Sequence, residues 1–200
     1  MSIIKINDNI SYIEEVRSPL SADVGIINNS LLYDVGASED VLVNLNGKYD
    51  VAISHFHRDH LANIAKININ RLYVSKESYR HIPSEVLTSC EVIVVDDEIT
   101  IGNLKIFKLP SSHAKGCLAI EVDSRYCFIG DASYSAFKNG KVSYNAQLLK
   151  ELIDKLKSIK SKYLLISHYK GLIRDKNEVI EELTEIYSRR SKNEAEIIIN

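Results

Sequence analysis

Along this chain, short apolar runs stop abruptly in polar residues. The stretches "DVAIS" (50–54), "RLYVS" (71–75), "EVIVVD" (91–96), "LKIFKL" (104–109), "CLAIEV" (117–122), "RYCFIG" (125–130) and "YLLIS" (163–167) are rich in β-branched and aromatic residues. Their length and composition predict strands, because such side chains pack well on a pleated surface. "SIIKI", "ISYIEEV" and "SLLYDV" add strands in the N-terminal third. Elsewhere the period becomes helical. Leu148, Leu149, Leu152, Ile153, Leu156 and Ile159 form one apolar stripe, and Val179, Ile180, Leu183, Ile186 and Tyr187 form another, as expected of helices that lay one face on a sheet. Shorter helices are expected at 38–46, 60–66 and 75–82. Strands come first in runs and then alternate with helices, a pattern that suggests two stacked sheets with helices outside.

Composition narrows the function classes more than the fold. With 45% hydrophobic and 26% charged residues and no linker or repeat, the 200 residues are expected to form a single globular domain, 1–200. The net charge of −2 shows no basic excess, so no nucleic-acid partner is expected. The opening "MSIIKINDNISYIEEV" interrupts its apolar residues with charges. No apolar run approaches the roughly 20 residues that cross a bilayer, so neither a membrane partner nor a leader is expected and the location expected is cytoplasmic. Cys90, Cys117 and Cys127 are an odd count without CxxC spacing, which points to reduced, buried thiols rather than a disulfide framework or a zinc knuckle.

The chemistry gathers where strands stop. Three of the six histidines lie in "HFHRDH", 55–60. His55 follows "VAIS", His168 follows "YLLIS", Asp131 follows "YCFIG", and His113 comes a few residues after "IFKLP". Strand ends on one edge of a sheet are where loops build a site on a rigid scaffold. In extended chain, positions i and i+2 project to one side, so His55 and His57 can share an ion with His113 and leave a position open for water. Asp59 and His60 follow the turn into a helix and, with His168, can hold a second ion. The two oxygens of Asp131 suit a bridge between the two, as two-metal sites require.

His55-x-His57-x-Asp59-His60, followed by His113, Asp131 and His168, resembles the metallo-β-lactamase superfamily over residues 23–170. "LLYDVG", "HAKG" and "FIGD" support it. The resemblance implies an α/β fold, the four-layer αβ/βα sandwich. It places His55, His57 and His113 on one metal, Asp59, His60 and His168 on the other, and Asp131 between them. Asp34 becomes a partner able to orient a ligand histidine through its distal N–H. Two divalent ions are implied, zinc first, although iron and manganese suit the same ligands.

Departures from relatives restrict the activity. The β-lactamases commonly carry cysteine where Asp131 stands, which speaks against antibiotic hydrolysis. Flavodiiron proteins replace His57 with an acidic residue and append a flavin domain, and neither feature is present. Glyoxalase II enzymes extend well past the last histidine, whereas this sequence runs only to residue 200. That disfavours a glutathione thioester, though not other thioesters. The superfamily's nucleases carry an inserted domain or a basic arm, for which neither length nor charge gives a sign.

The expectation is a metal-dependent hydrolase in which metal-bound hydroxide cleaves an ester, thioester, lactone or phosphodiester of a small molecule. Asp59, Tyr134 and Tyr169 are the candidate catalytic residues, the tyrosines as donors to a developing oxyanion. The alternative is a mononuclear iron persulfide dioxygenase using His55, His113 and Asp131. A metal-binding module without turnover ranks last. The bland readings are also specific: tyrosine is abundant and commonly packs, Asp34 and Asp131 can each cap a turn, and Arg58 can simply reach solvent. His81 reads as a surface residue and "KLKSIKSK" (155–162) as a solvated helix face.

Overall fold

The computed structural model describes residues 2–18, 20–138 and 140–199. The chain gathers into two compact units. The first comprises the residues up to Asp97 together with Ser167–Leu172, and the second comprises Glu98–Ile166 and the chain from Ile173 on.

The first unit is built on a seven-stranded sheet in the order Ile3–Lys5, Ile10–Ile13, Val24–Ile27, Leu31–Tyr33, Lys48–Ala52, Asn68–Val74 and Glu91–Val94. The first four strands pair antiparallel and the last four run parallel. Parallel strands end on a common edge, so Asp34, which follows Tyr33, and the segment Ile53–His55, which follows Ala52, leave the sheet side by side. Beneath them lies a core that includes Val24, Leu32, Val51, Ile53, Leu72 and Val74, all fully buried.

The second unit carries a six-stranded sheet: Glu98–Ile101, Leu104–Leu109, Cys117–Val122, Tyr126–Gly130, Tyr163–Ile166 and Ile173–Asp175. Tyr126–Gly130 and Tyr163–Ile166 are its parallel pair, with Gly130 opposite Ile166 at the end. Both long stripes fold as helices. Ala146–Ser158 starts from Asn145, whose side chain accepts from Leu148 N at 3.0 Å, and buries Leu149, Leu152, Ile153 and Leu156. Lys176–Ser188 starts from Asp175, which accepts from Asn177 N at 2.8 Å, and buries Val179 and Leu183. Cys117 and Cys127 are buried and Cys90 is half-buried.

The short helices differ from expectation. The one expected at 38–46 is a single turn, Glu39–Leu42, begun by Ser38. That expected at 60–66 begins earlier, as Arg58–Leu61, and is followed by the 3₁₀ turn Ile64–Lys66. The span 75–82 holds only Lys76–Tyr79, and a separate helix, Ser84–Ser89, follows Pro83. Proline disfavours helical backbone in the residue before it, which divides the two. Strands at Glu98–Ile101 and Ile173–Asp175 were not foreseen. Nor was a small sheet of Ala136–Lys138, Lys141–Asn145 and Glu196–Ile199. They are short and mix polar with apolar residues, which blurs the signal.

Candidate metal centre

In the first unit the site begins where Lys48–Ala52 ends. Asp34, on the neighbouring strand end, is fully buried in left-handed backbone at φ 62°. Its Oδ1 accepts from Ser54 N and its Oδ2 from Ser54 Oγ, each at 2.7 Å. The same Oδ2 lies 2.7 Å from His60 Nδ1. A carboxylate on Nδ1 fixes that ring so that Nε2 is the atom presented. Ser54 Oγ also lies 3.0 Å from His55 Nδ1. Gly36, at φ 65°, lets the chain pass close by, because a Cβ there would stand 2.7 Å from Ser21 Oγ.

"HFHRDH" divides as its pattern suggests. His57 is extended (φ −69°, ψ 144°) and caps the helix Arg58–Leu61. His55 and His57 therefore precede the helix, their ring centroids 4.5 Å apart, while Asp59 and His60 lie in its first turn. The helix is tied down by His60 O, which accepts from Val35 N and Gly36 N at 2.9 and 3.1 Å.

His168 comes from 108 residues further along the chain than His60, two residues beyond Tyr163–Ile166. It adopts φ 63°, an uncommon conformation for a residue with a Cβ. Asp23 Oδ2 accepts its backbone N–H at 3.0 Å, Glu15 Oε2 lies 2.8 Å from Nδ1, and Asp59 Oδ2 lies 3.0 Å from Nε2. Asp59 Oδ2 is also 3.5 Å from His60 Nε2. Donor atoms of Asp59, His60 and His168 all lie within 4.8 Å of one another, as do those of His55 and His57. Two ligands of one tetrahedral ion, each about 2.0–2.2 Å from it, stand about 3.3–3.5 Å apart. The residues present therefore fit a divalent metal in both spacing and chemistry.

Burial acts on the carboxylates here, and their partners resist it. Burial pushes Asp59 up, but the hydrogen bond from His168 and the charge of His60 outweigh it and hold its carboxyl below the usual range. Glu15 behaves alike, with burial outweighed by the hydrogen bonds from His168 and Arg17. At Asp23 burial prevails and raises the group to about 6.

In the second unit, Asp131 directly follows Tyr126–Gly130, with Gly130 at φ 54° turning the chain. Ser111 Oγ accepts from His113 N at 3.1 Å and donates to Ala132 O at 3.0 Å, fastening the histidine loop beside the aspartate. His113 Nε2 lies 3.3 Å from Asp131 Oδ2, and Nδ1 lies 3.2 Å from Ser135 O. The ring of Tyr134 is 6.4 Å from that of His113. Tyr169, in the first unit, is 41% exposed. Arg58 is exposed, and His81, also exposed, stacks on Phe56 with centroids 4.6 Å apart.

Each unit thus gathers its share of the expected donors: five in the first unit and two in the second. Glu15, Asp23 and Ser54 were not foreseen. Each is one polar residue beside an apolar run, and nothing local marks it as a partner of a histidine.

No family model and no curated protein matches the chain. Solved structures do. The chain is similar to the structure described as a peroxy diiron species of the chemotaxis sensor ODP, with 14% identity, 92% of this chain and 94% of that one covered, and a TM-score of 0.65. For the flavodiiron protein from Giardia intestinalis the identity is 11%, the coverage 94% and 60%, and the TM-score 0.69. For DIM-1 metallo-β-lactamase, in a crystal exposed to ceftazidime, the identity is 16%, the coverage 95% and 97%, and the TM-score 0.66. Likeness at such identities establishes the fold. The chain shares the α/β fold of these structures, a metallo-β-lactamase among them, as the histidine motif implied.

Proposed function

We propose that this chain is a metal-dependent hydrolase of the metallo-β-lactamase superfamily, with two divalent ions held by the histidine and aspartate donors at its strand ends. In this reading His55 and His57 are donors to one ion and Asp59, His60 and His168 hold the other, with His113 and Asp131 as the remaining donors that the motif implies. The observation that carries it is the first-unit group, in which His60 and His168 each set Nδ1 against a carboxylate while their Nε2 atoms converge on Asp59.

Divalent metal bound there would acidify a water and polarise a substrate carbonyl or phosphoryl oxygen. The chain's own groups supply the rest. Asp59 and Asp131 offset the positive charge, and Asp34, through His60, keeps the donor set in place. Tyr134 and Tyr169 are the groups we assign as donors to charge developing on the substrate oxygen. The substrate class is an ester, thioester, lactone or phosphodiester of a small molecule, and the location we assign is cytoplasmic. Zinc is the metal we assign to both positions. The test is a panel of those four bond types, assayed on zinc-loaded protein and on His57→Ala and Asp131→Ala variants. Hydrolysis of one class is expected, lost by at least about 100-fold in either variant. Equal hydrolysis by wild type and variants contradicts the reading.

Oxygen chemistry at iron is the second reading. It is favoured by two similar structures whose descriptions name diiron and flavodiiron proteins. Iron absorption with oxygen uptake on adding a persulfide would select it, and a colourless zinc protein inert to oxygen would remove it.

A further inference from the structure

Glu15 stands out among the residues around His168 because it reaches the ring from 153 positions earlier in the chain and belongs to no ligand motif. We propose that Glu15 is the positioning residue for His168, fixing which ring nitrogen faces Asp59 and tightening the hold of Asp59, His60 and His168 on their ion. The proposal rests on the two-metal reading above.

Both the backbone and the ring of His168 are held by carboxylates. Its left-handed backbone is a conformation that surrounding structure must enforce. Asp23 does this with one oxygen on His168 N at 3.0 Å and uses its other oxygen to accept Glu15 N at 3.1 Å. One buried carboxylate thereby locks the two partners together. Glu15 divides its oxygens in the same way: Oε2 lies 2.8 Å from His168 Nδ1, and Oε1 accepts from Arg17 Nε at 2.9 Å. The Glu15 side chain is only 12% exposed, so its charge is weakly screened by water on the His168 side.

A carboxylate that accepts from Nδ1 leaves the lone pair on Nε2 and makes that atom a stronger donor. Asp34 plays this part for His60 at 2.7 Å. The Nδ1 atoms of His55 and His113 instead face neutral oxygens, Ser54 Oγ at 3.0 Å and Ser135 O at 3.2 Å. The influence of Glu15 is therefore directed at one ion of the two.

Glu15→Gln tests this, because glutamine keeps the shape and an accepting oxygen and removes the charge. Metal-free wild type and variant are titrated with cobalt(II) against a competing chelator, and the absorption spectrum is followed at each equivalent. The variant is expected to bind one cobalt about 10- to 100-fold more weakly, with a changed spectrum for that ion, while the other ion and the metal-free thermal midpoint stay as in wild type. If both cobalt affinities fall together with the midpoint, Glu15 is merely structural. If wild type takes up two cobalt ions and the variant matches it, the positioning role falls and the two-metal reading stands. If wild type takes up none, the two-metal reading falls first.

Discussion

Asp34 is fully buried and receives three hydrogen bonds, two from Ser54 and one from the His60 ring. A buried carboxylate with its partners in place is tolerated, but deleting it strands donors that have lost contact with water. Asp34→Ala is expected to lower the stability of the metal-free protein by about 3–5 kcal/mol, measured by urea denaturation. A change within experimental error would mean that the carboxylate is not the anchor of that strand end. Asp34 was legible only through the resemblance carried by "LLYDVG", since by itself an aspartate after an apolar run reads equally well as a turn cap. Glu15 and Asp23 were not. They sit 153 and 145 positions from His168, and only the folded chain makes them neighbours.

Elements were legible in proportion to how much apolar surface they bury. Leu104–Leu109 and Cys117–Val122 have the bounds their apolar runs suggested. The stripe beginning at Leu148 became Ala146–Ser158, with Leu149, Leu152, Ile153 and Leu156 inward as its period required. Leu152 is 1% exposed, so Leu152→Ala is expected to cost about 2–5 kcal/mol, read from chemical denaturation. A loss well under that range would show that the helix packs loosely. Elements that bury little were misjudged. The helices near 38–46 and 75–82 shrank to single turns, because capping side chains and Pro83 set their limits more strongly than apolar spacing did. The strand Glu196–Ile199 fully buries only Ile197, and its four residues gave too little alternation to read.

For the whole molecule, fold and function are separate inferences. A hydrophobic pattern that names strands does not by itself name a superfamily. Identities of 11–16% over more than nine-tenths of the chain show how many sequences satisfy the same packing. What singles out this chain is the placing of donors at strand ends, where the scaffold holds them at distances that one ion per group can satisfy. None of the described helices is long and apolar enough to cross a membrane. The central claim is that the donors bind metal, and elemental analysis of the purified protein tests it most directly. About two equivalents of zinc, iron or manganese per chain are expected, falling in His57→Ala and Asp131→Ala. Protein that carries no stoichiometric metal and takes up none on reconstitution would contradict the account.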